Sequence, residues 1–179
     1  MDHFYFIRHG QTDANLRGLL CGCAWDIDIN ETGIQQAKQA ARIIEKYEDI
    51  RVICSSPLRR TKQTTQIVNE KFNRPIIYIT DLREWDLGDW DRVPFEKLKH
   101  LFLGDGEPEN GEKRAEFQTR VASALEKCRQ QTQPILIVSH GGVALAMQTI
   151  LNINSAKVEN GKPYRFFQKG NHWHFEELT

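Results

Sequence analysis

The 179-residue sequence has no excess of charge of either sign and no long hydrophobic run. Lysine plus arginine and aspartate plus glutamate each number 24, so neither nucleic acid nor a membrane surface is an expected partner. No apolar run is long enough for a transmembrane helix, and no basic leader with an apolar core opens the sequence. We therefore expect a cytoplasmic protein that binds any anion through locally placed charges.

Cysteines are also few, and their spacing is irregular. The four are Cys21, Cys23, Cys54 and Cys128. The Cys21–Cys23 pair could join His172 and His174 in a zinc site only if the fold brought these distant residues together. Reduced, structural cysteines are the simpler interpretation, so we expect neither a metal nor a cofactor.

No internal repeat or low-complexity segment interrupts the chain, and its length fits one domain over residues 1–179. Short apolar runs predict strands buried on both faces at His3–Ile7, Arg51–Cys54, Pro75–Ile79 and Pro134–Val138. Apolar residues at helical spacing predict helices over 34–47, 58–72 and 117–128. This alternation predicts a three-layer α/β/α sandwich with a mostly parallel central sheet.

Two later segments depart from that alternation. Tyr164–Phe167 and His172–Phe175 flank a Lys169-Gly170-Asn171 turn, which predicts a hairpin forming an antiparallel edge of the sheet. The connection Asp81–Glu112 is long for a compact domain and contains only a short helical pattern, Phe95–Phe102. It is interpreted either as a functional segment or as surface elaboration.

Polar side chains suited to chemistry follow every predicted parallel strand. Arg8 and His9 follow the first, Arg59 and Arg60 the second, Glu84 the third and His140 the fourth. Each has an ordinary structural explanation alone, but the carboxyl ends of parallel strands meet at one edge of a sheet, where ligands bind. Arginine forks and imidazoles at one edge predict an anionic substrate with chemistry at a histidine.

The segment after the second strand also predicts where a helix begins. Ser56 suits the N-cap position and Pro57 the first helical position. Arg59 and Arg60 would then lie in the first helical turn. A helix beginning there and another after His140 would each add free amide donors and partial positive charge at the same edge.

Five motifs in order carry a family resemblance. They are R-H-G-Q-T-D-A-N at 8–15, Gly22 with Asp26 and G-I-Q-Q-A at 33–37, S-S-P-L-R-R-T-K-Q-T at 55–64, L-R-E-W-D-L-G-D-W at 82–90, and S-H-G-G at 139–142. The chain resembles the histidine phosphatase superfamily, also called phosphoglycerate mutase-like proteins, in particular its small phosphatases such as α-ribazole phosphatase. The resemblance selects Arg60 over Arg59 as the functional arginine.

The resemblance implies a role for each matched residue. His9 is the nucleophile that accepts the phosphoryl group, Arg8, Arg60 and His140 surround its oxygens, and Glu84 protonates the leaving oxygen. Since the arginines neutralise the phosphate, no metal is needed. The implied substrate contacts are Asn15, Gln11, Thr12, Cys21, Gly22 and Gly141. For Cys21, a role as a small buried residue is an equal alternative.

Other functions remain open at this point. The implied activity is hydrolysis of a small phosphorylated metabolite; a mutase, a phosphohistidine protein phosphatase and a non-catalytic phospholigand-binding module are alternatives. A mutase is disfavoured because only 56 positions separate Glu84 from His140, too few for the insertion of the glycolytic mutases.

Several features bear on substrate and assembly. Asp91-Arg92 and Asn110 depart from the family pattern. Both lie in the connection 81–112, so they bear on substrate contacts rather than on catalysis. Arg92, Lys99 and Lys113 are candidates for binding a second anionic group, with a solvated surface role as the alternative. The oligomeric state is open, although the edge hairpin could pair with a second subunit in a dimer.

Overall fold

The structure is a computed structural model that describes residues 1–154 and 156–179, and it is built around a six-stranded sheet. The strands are β1 (His3–Arg8), β2 (Val52–Ser55), β3 (Ile76–Tyr78), β4 (Ile135–Ser139), β5 (Pro163–Lys169) and β6 (His172–Glu177). Their order is β3-β2-β4-β1-β5-β6; β3, β2, β4 and β1 are parallel neighbours, and β5 and β6 are antiparallel. The mostly parallel sheet with an antiparallel edge is confirmed.

Six α-helices accompany the sheet in the described part of the chain. They are α1 (Asp13–Leu16), α2 (Glu31–Ile44), α3 (Arg59–Phe72), α4 (Phe95–Leu103), α5 (Arg114–Arg129) and α6 (Gly141–Ile150). Two 3₁₀ turns, Thr80–Leu82 and Gly88–Trp90, lie in the connection before α4. The predicted helices at 34–47, 58–72, 95–102 and 117–128 are therefore all present.

The sheet separates two hydrophobic cores. Successive side chains of β1 point to opposite faces, as strand geometry requires. Phe4 and Phe6 pack in one core with residues of α5 and α6, including Val121 and Met147. The other core holds Tyr5 and Ile7 with residues of α2 and α3, among them Ala40, Ile44 and Val68. Helices thus cover both faces, which confirms the three-layer arrangement.

Two local predictions are wrong. The third strand is not buried on both faces, because β3 is the edge of the sheet and Tyr78 is 43% exposed. The helix after β2 begins at Arg59 with Leu58 at the N-cap position, so Ser56 is not its N-cap and Pro57 is not its first residue. Ser56 Oγ instead accepts a hydrogen bond from the Leu58 amide at 3.3 Å, in a turn that precedes the helix.

The connection 81–112 has an aromatic core of its own. The Trp85 ring, 2% exposed, stacks on Phe117 of α5 with centroids 5.5 Å apart, and it also contacts Trp90 and Phe102 at 5.9 and 5.6 Å. Phe95 packs on Phe102 at 5.6 Å. Aromatic pairs of this kind contribute about 0.5–1.5 kcal/mol each beyond their burial. The aromatic residues therefore fix the connection against α5.

The state of the cysteines, the possible metal ligands and the apolarity of the helices can be read directly from the structure. All four cysteines are free thiols; Cys54 and Cys128 are buried, and Cys21 and Cys23 are half-buried. Within residues 1–154 and 156–179, no group of three His, Cys, Asp or Glu side chains could hold a metal ion. In the same residues, no helix has the length and apolarity to cross a membrane.

Candidate active site

Two histidines leave the sheet side by side. β1 and β4 are parallel neighbours, with Arg8 opposite Ser139, so the next residue on each strand is a histidine. The rings of His9 and His140 lie with centroids 5.2 Å apart and planes inclined by 61°. His9 is 4% exposed and His140 is fully buried. The fold thus places both imidazoles at the carboxyl edge, where the sequence predicted them.

The tautomer of His9 follows from its hydrogen bond. Its Nδ1 lies 2.8 Å from the carbonyl oxygen of Gly10, which can only accept, so Nδ1 carries the proton. Nε2 therefore has a free lone pair. The Gly10 amide in turn donates to Thr64 Oγ1 at 2.9 Å. These two bonds hold the ring with Nε2 available as a nucleophile.

In His140 the paired and the free ring nitrogens are the reverse of those in His9. Its Nε2 lies 2.8 Å from Ser56 Oγ, and its Nδ1 is buried without a hydrogen-bond partner in the described chain. An unsatisfied buried nitrogen of this kind is unfavourable unless a ligand supplies the missing bond. Gly141, the first residue of α6, approaches Arg8 so closely that a Cβ there would lie 3.2 Å from the guanidinium carbon. A larger residue at 141 would press on that group.

Two guanidinium groups lie beside these rings and are held by carbonyl oxygens, one from the buried Arg60 and one from the half-buried Arg8. Arg60, 1% exposed, donates from Nη1 to the carbonyl of Trp25 at 3.2 Å and from Nη2 to that of Gly22 at 3.0 Å. Arg8 donates from Nη1 to the carbonyl of Val158 at 3.0 Å, and its Nε is buried without a partner among the described residues. Buried cations held by neutral acceptors favour an anionic ligand, since burial of an unpaired charge is costly.

Burial and these cations keep both imidazoles neutral. The pKa of His9 lies well below its usual value of 6.5, first because of burial and then because of the positive charges of Arg60 and Arg8. The pKa of His140 is lowered for the same reasons, burial again being the largest. A neutral His9 at physiological pH is the form that can attack an electrophile.

Glu84 reaches the same edge from the connection after β3. It is 8% exposed; Oε1 accepts from the Trp85 amide and Oε2 from the Gly142 amide, both at 3.0 Å. A Cβ at Gly142 would overlap the carboxyl group of Glu84, so the residue at 142 must be glycine for the carboxyl to lie there. The sequence-predicted cluster of His9, His140, Arg8, Arg60 and Glu84 is therefore assembled at one edge.

Asn15 and Thr12 form a single unit at the start of α1. Asn15 Oδ1 accepts from the Thr12 amide and hydroxyl, both at 3.1 Å, and from Asn160 Nδ2 at 3.2 Å. Because these bonds occupy Oδ1 of Asn15, its Nδ2 is the atom left to donate to a ligand. Thr12 is fully buried and caps the helix, so its side chain has a structural contact. The capping box formed by Thr12 and Asn15 stabilises the start of this short helix, which the sequence analysis did not identify.

Of the remaining predicted contacts, Cys21 and Gly22 lie in a loop against Arg60, whereas Gln11 lies in the segment after β1. Gln11 is half-buried, and its Oε1 accepts from Asn30 Nδ2 at 3.1 Å. Cys21 donates from Sγ to the carbonyl of Trp25 at 3.4 Å, and burial raises the pKa of its thiol to about 11. Gly22 supplies a carbonyl to Arg60. The thiol is therefore protonated at physiological pH, which favours the interpretation of Cys21 as a small packing residue.

The residues that depart from the family pattern support the same loop. Asp91 Oδ1 accepts from the Gly22 amide at 2.5 Å, and the Arg92 guanidinium covers the Trp25 ring at 5.0 Å. Burial raises the pKa of Asp91 above its usual value. Lys99 and Lys113, the other candidates for binding a second anionic group, are exposed, and Lys99 Nζ lies 3.7 Å from Glu96 Oε1.

Two contributors were missed by sequence reasoning. Ser56 was expected to cap a helix but instead binds His140. Asn160 donates from Nδ2 to the carbonyl of His9 at 3.0 Å, and the next residue, Gly161, donates its amide to the carbonyl of Arg8 at 2.9 Å. The sequence signal for Asn160 and Gly161 was an Asn-Gly turn just before β5, which does not indicate a partner 151 residues away in sequence.

The neutral histidines make the stability of the protein depend on pH. Below pH 6.5 the unfolded chain binds protons at His9 and His140 more readily than the folded protein does, so the free energy of unfolding decreases as the pH is lowered. Each histidine adds at most about 1.4 kcal/mol per pH unit to this fall. Urea denaturation between about pH 5 and pH 7.5 should show a shallower dependence for His9→Gln than for the wild type.

An exposed histidine provides the control for that measurement. His172 lies on β6, so His172→Gln alters a side chain outside the cluster. Identical pH dependence in the wild type and His9→Gln would show that His9 is protonated alike in the folded and unfolded states.

Over most of its length the chain is similar to known phosphatases. It is 35% identical over 146 residues to the uncharacterized phosphatase PhoE of Bacillus subtilis (strain 168), covering 80% of this chain and 74% of that protein. It is 31% identical over 167 residues to adenosylcobalamin/alpha-ribazole phosphatase of Salmonella typhimurium, covering 86% of this chain and 82% of that protein. The solved structure of mycobacterial glucosyl-3-phosphoglycerate phosphatase in complex with VO3 matches with a TM-score of 0.83 at 25% identity, covering 99% and 98% of the two chains.

A family-wide comparison covers nearly the same span. The family described as Histidine phosphatase superfamily (branch 1) matches residues 4–166, which include His9, Arg60, Glu84 and His140. The resemblance inferred from five sequence motifs is confirmed by this match. The chain belongs to the histidine phosphatase superfamily.

Proposed function

We propose that this protein is a metal-independent phosphomonoester hydrolase that acts through a phosphohistidine at His9 on a small phosphorylated metabolite in the cytoplasm. The observation that carries the proposal is the pair of guanidinium groups, from half-buried Arg8 and buried Arg60, held by carbonyl oxygens beside a neutral imidazole. A phosphate dianion satisfies both cations at once. It also meets a nucleophile within the same pocket.

In the first step, His9 Nε2 attacks phosphorus and the ester P–O bond breaks. Arg8 and Arg60 neutralise the equatorial oxygens, with Asn15 Nδ2 and His140 as further donors. The protonated carboxyl of Glu84 gives its proton to the leaving oxygen, so that an alcohol departs rather than an alkoxide. The products are the alcohol and a phosphohistidine, with Glu84 left as a carboxylate.

In the second step, water attacks phosphorus and the P–Nε2 bond breaks. The Glu84 carboxylate accepts a proton from that water, which restores its protonated form. Nε2 of His9 regains its lone pair, and inorganic phosphate leaves. The Nδ1 proton remains on its bond to Gly10 throughout, so the ring keeps its orientation.

Glu84→Gln tests the acid role through the leaving group. We expect kcat/KM for alkyl phosphates to fall by about 10²–10⁴-fold, because an alkoxide is a poor leaving group without a proton. For aryl phosphates the fall should be less than about 10-fold, because the leaving phenolate is stable unprotonated. Glu107→Gln, an exposed glutamate in the loop after α4, is the control. Equal losses on both substrate classes would remove Glu84 from the acid role.

The named relatives guide the choice of substrate. One similar protein is named for adenosylcobalamin and α-ribazole, and another for glucosyl-3-phosphoglycerate. A panel of phosphorylated alcohols, sugars and acids, with phosphohistidine peptides included, tests the proposed metabolite class. Release of inorganic phosphate supports a hydrolase, whereas transfer of the phosphoryl group between two metabolites would indicate a mutase.

A further inference from the structure

Arg120 of α5 gathers the backbone that carries Glu84. Its Nη1 donates to the carbonyls of Asp81 and Arg83 at 2.8 and 2.9 Å, and its Nη2 donates to the carbonyl of Glu84 at 3.3 Å. Its Nε and Nη2 also bind the two carboxylate oxygens of Glu112 at 2.7 and 2.6 Å. A single guanidinium fork thus binds three carbonyls within four consecutive residues.

The Glu112 carboxylate orients this fork from the other side. The two side chains are each 16% exposed and form a two-pronged ion pair, the geometry in which arginine is held most rigidly. Through its backbone, Glu112 also accepts from Trp85 Nε1 at 2.7 Å and donates to the carbonyl of Asp86 at 2.9 Å. Both ends of the connection 81–112 are therefore joined next to Glu84.

The segment from Arg83 to Asp86 needs this support because it belongs to neither a strand nor a helix. The carbonyls of Arg83 and Glu84 therefore accept no hydrogen bond from a sheet or helix ladder, and Arg120 supplies the donors instead. A catalytic carboxyl must be held within about 0.5 Å of its productive position by the residues around it.

We propose that Arg120, held by Glu112, is a positioning residue for the proton-donating carboxyl of Glu84. The proposal rests on the function proposed above and extends it to a side chain outside the phosphate pocket. Arg120 acts through the backbone of Glu84 and contacts no reacting atom. Its removal should therefore impair the transfer of a proton to the leaving group more than the attack by His9.

The same helix contains a matched control. Arg114 is the first residue of α5, six residues before Arg120, and its Nη2 donates to the carbonyls of Leu101, Phe102 and Gly106 at 3.3, 3.1 and 3.0 Å. It gathers backbone carbonyls at the end of α4 rather than in residues 81–84. Its guanidinium also covers the Trp85 ring at 4.7 Å, so it shares a neighbour of Glu84 without binding the Glu84 backbone. Its loss should affect stability without changing the leaving-group preference.

The experiment compares kcat/KM for one alkyl and one aryl phosphate in Arg120→Ala, Arg120→Lys, Arg114→Ala and Arg114→Lys. We expect the alkyl-to-aryl ratio to fall by at least about 10-fold in Arg120→Ala and by about 3-fold or more in Arg120→Lys, because lysine lacks the fork. Both Arg114 variants should stay within about 2-fold of the wild-type ratio. Thermal unfolding establishes which variants are folded. If Arg120→Ala does not fold, the comparison is made with Arg120→Lys.

The Glu84→Gln background separates this proposal from the function on which it rests. If Arg120 acts through Glu84, adding Arg120→Lys to Glu84→Gln should lower the ratio no further. A wild-type ratio in folded Arg120 variants, or an equal fall in the Arg114 variants, would overturn the positioning role. An unchanged ratio in Glu84→Gln alone would instead overturn the acid role of Glu84.

Discussion

His9→Ala should lower turnover of every phosphomonoester substrate by at least about 10⁴-fold while leaving the fold intact. The variant loses the atom that bonds to phosphorus, and none of the neighbouring groups can replace it. In the proposed mechanism His140 pairs with Ser56 through Nε2 and donates to the phosphate through Nδ1, and the arginines have no lone pair to offer. The backbone bonds of His9 to β4 do not depend on its ring, so the sheet should remain intact.

A phosphatase assay together with far-UV circular dichroism checks this result. His100→Ala, an exposed histidine in α4, is the matched control and should keep wild-type activity. Activity near the wild-type level in a folded His9→Ala protein would show that another group accepts the phosphoryl group.

Arg60→Ala should lower kcat/KM by about 10²–10³-fold and weaken vanadate binding by a similar factor. Arg60 is buried and its guanidinium is held by three carbonyls, so it is positioned before any anion binds. A preorganised cation contributes most where charge develops on the transferring group, since no reorganisation is needed during the reaction. The binding loss should accompany the catalytic loss because the same oxygens are contacted in both states.

The adjacent residue supplies a close control. Arg59 follows the same strand, but its side chain is 60% exposed and lies 2.6 Å from Asp28. Arg59→Ala should change kcat/KM by less than about 2-fold, since an exposed pair contributes little. Comparable losses in the two variants would show that general positive potential, rather than a specific fork, binds the phosphate.

The sequence predicted the site better than it predicted the local structure around it. Short runs rich in Ile and Val marked the four parallel strands, and a polar residue after each one indicated a common edge. Five ordered motifs then selected Arg60 over Arg59, and the structure places these two side chains in opposite environments. The strand order could not be read, because neighbours such as β1 and β4 are joined by more than 120 residues.

The unforeseen features have physical reasons. β3 has the composition of a buried strand, but its position at the edge leaves Tyr78 exposed, and composition alone does not identify an edge. Asn160 and Arg120 act through side-chain hydrogen bonds to carbonyls that are distant in the sequence. Such contacts impose no periodicity on the sequence, so only the folded chain reveals them.

The central claim is tested most directly by rapid alkaline quenching of the enzyme during turnover, followed by mass spectrometry of its peptides. Phosphohistidine survives alkali, so a covalent intermediate should be preserved. We expect one phosphoryl group on His9 in the wild-type protein, attached at Nε2, and none in His9→Ala. A phosphoryl group on any other residue, or turnover with His9 unmodified under conditions where product accumulates in a burst, would contradict it.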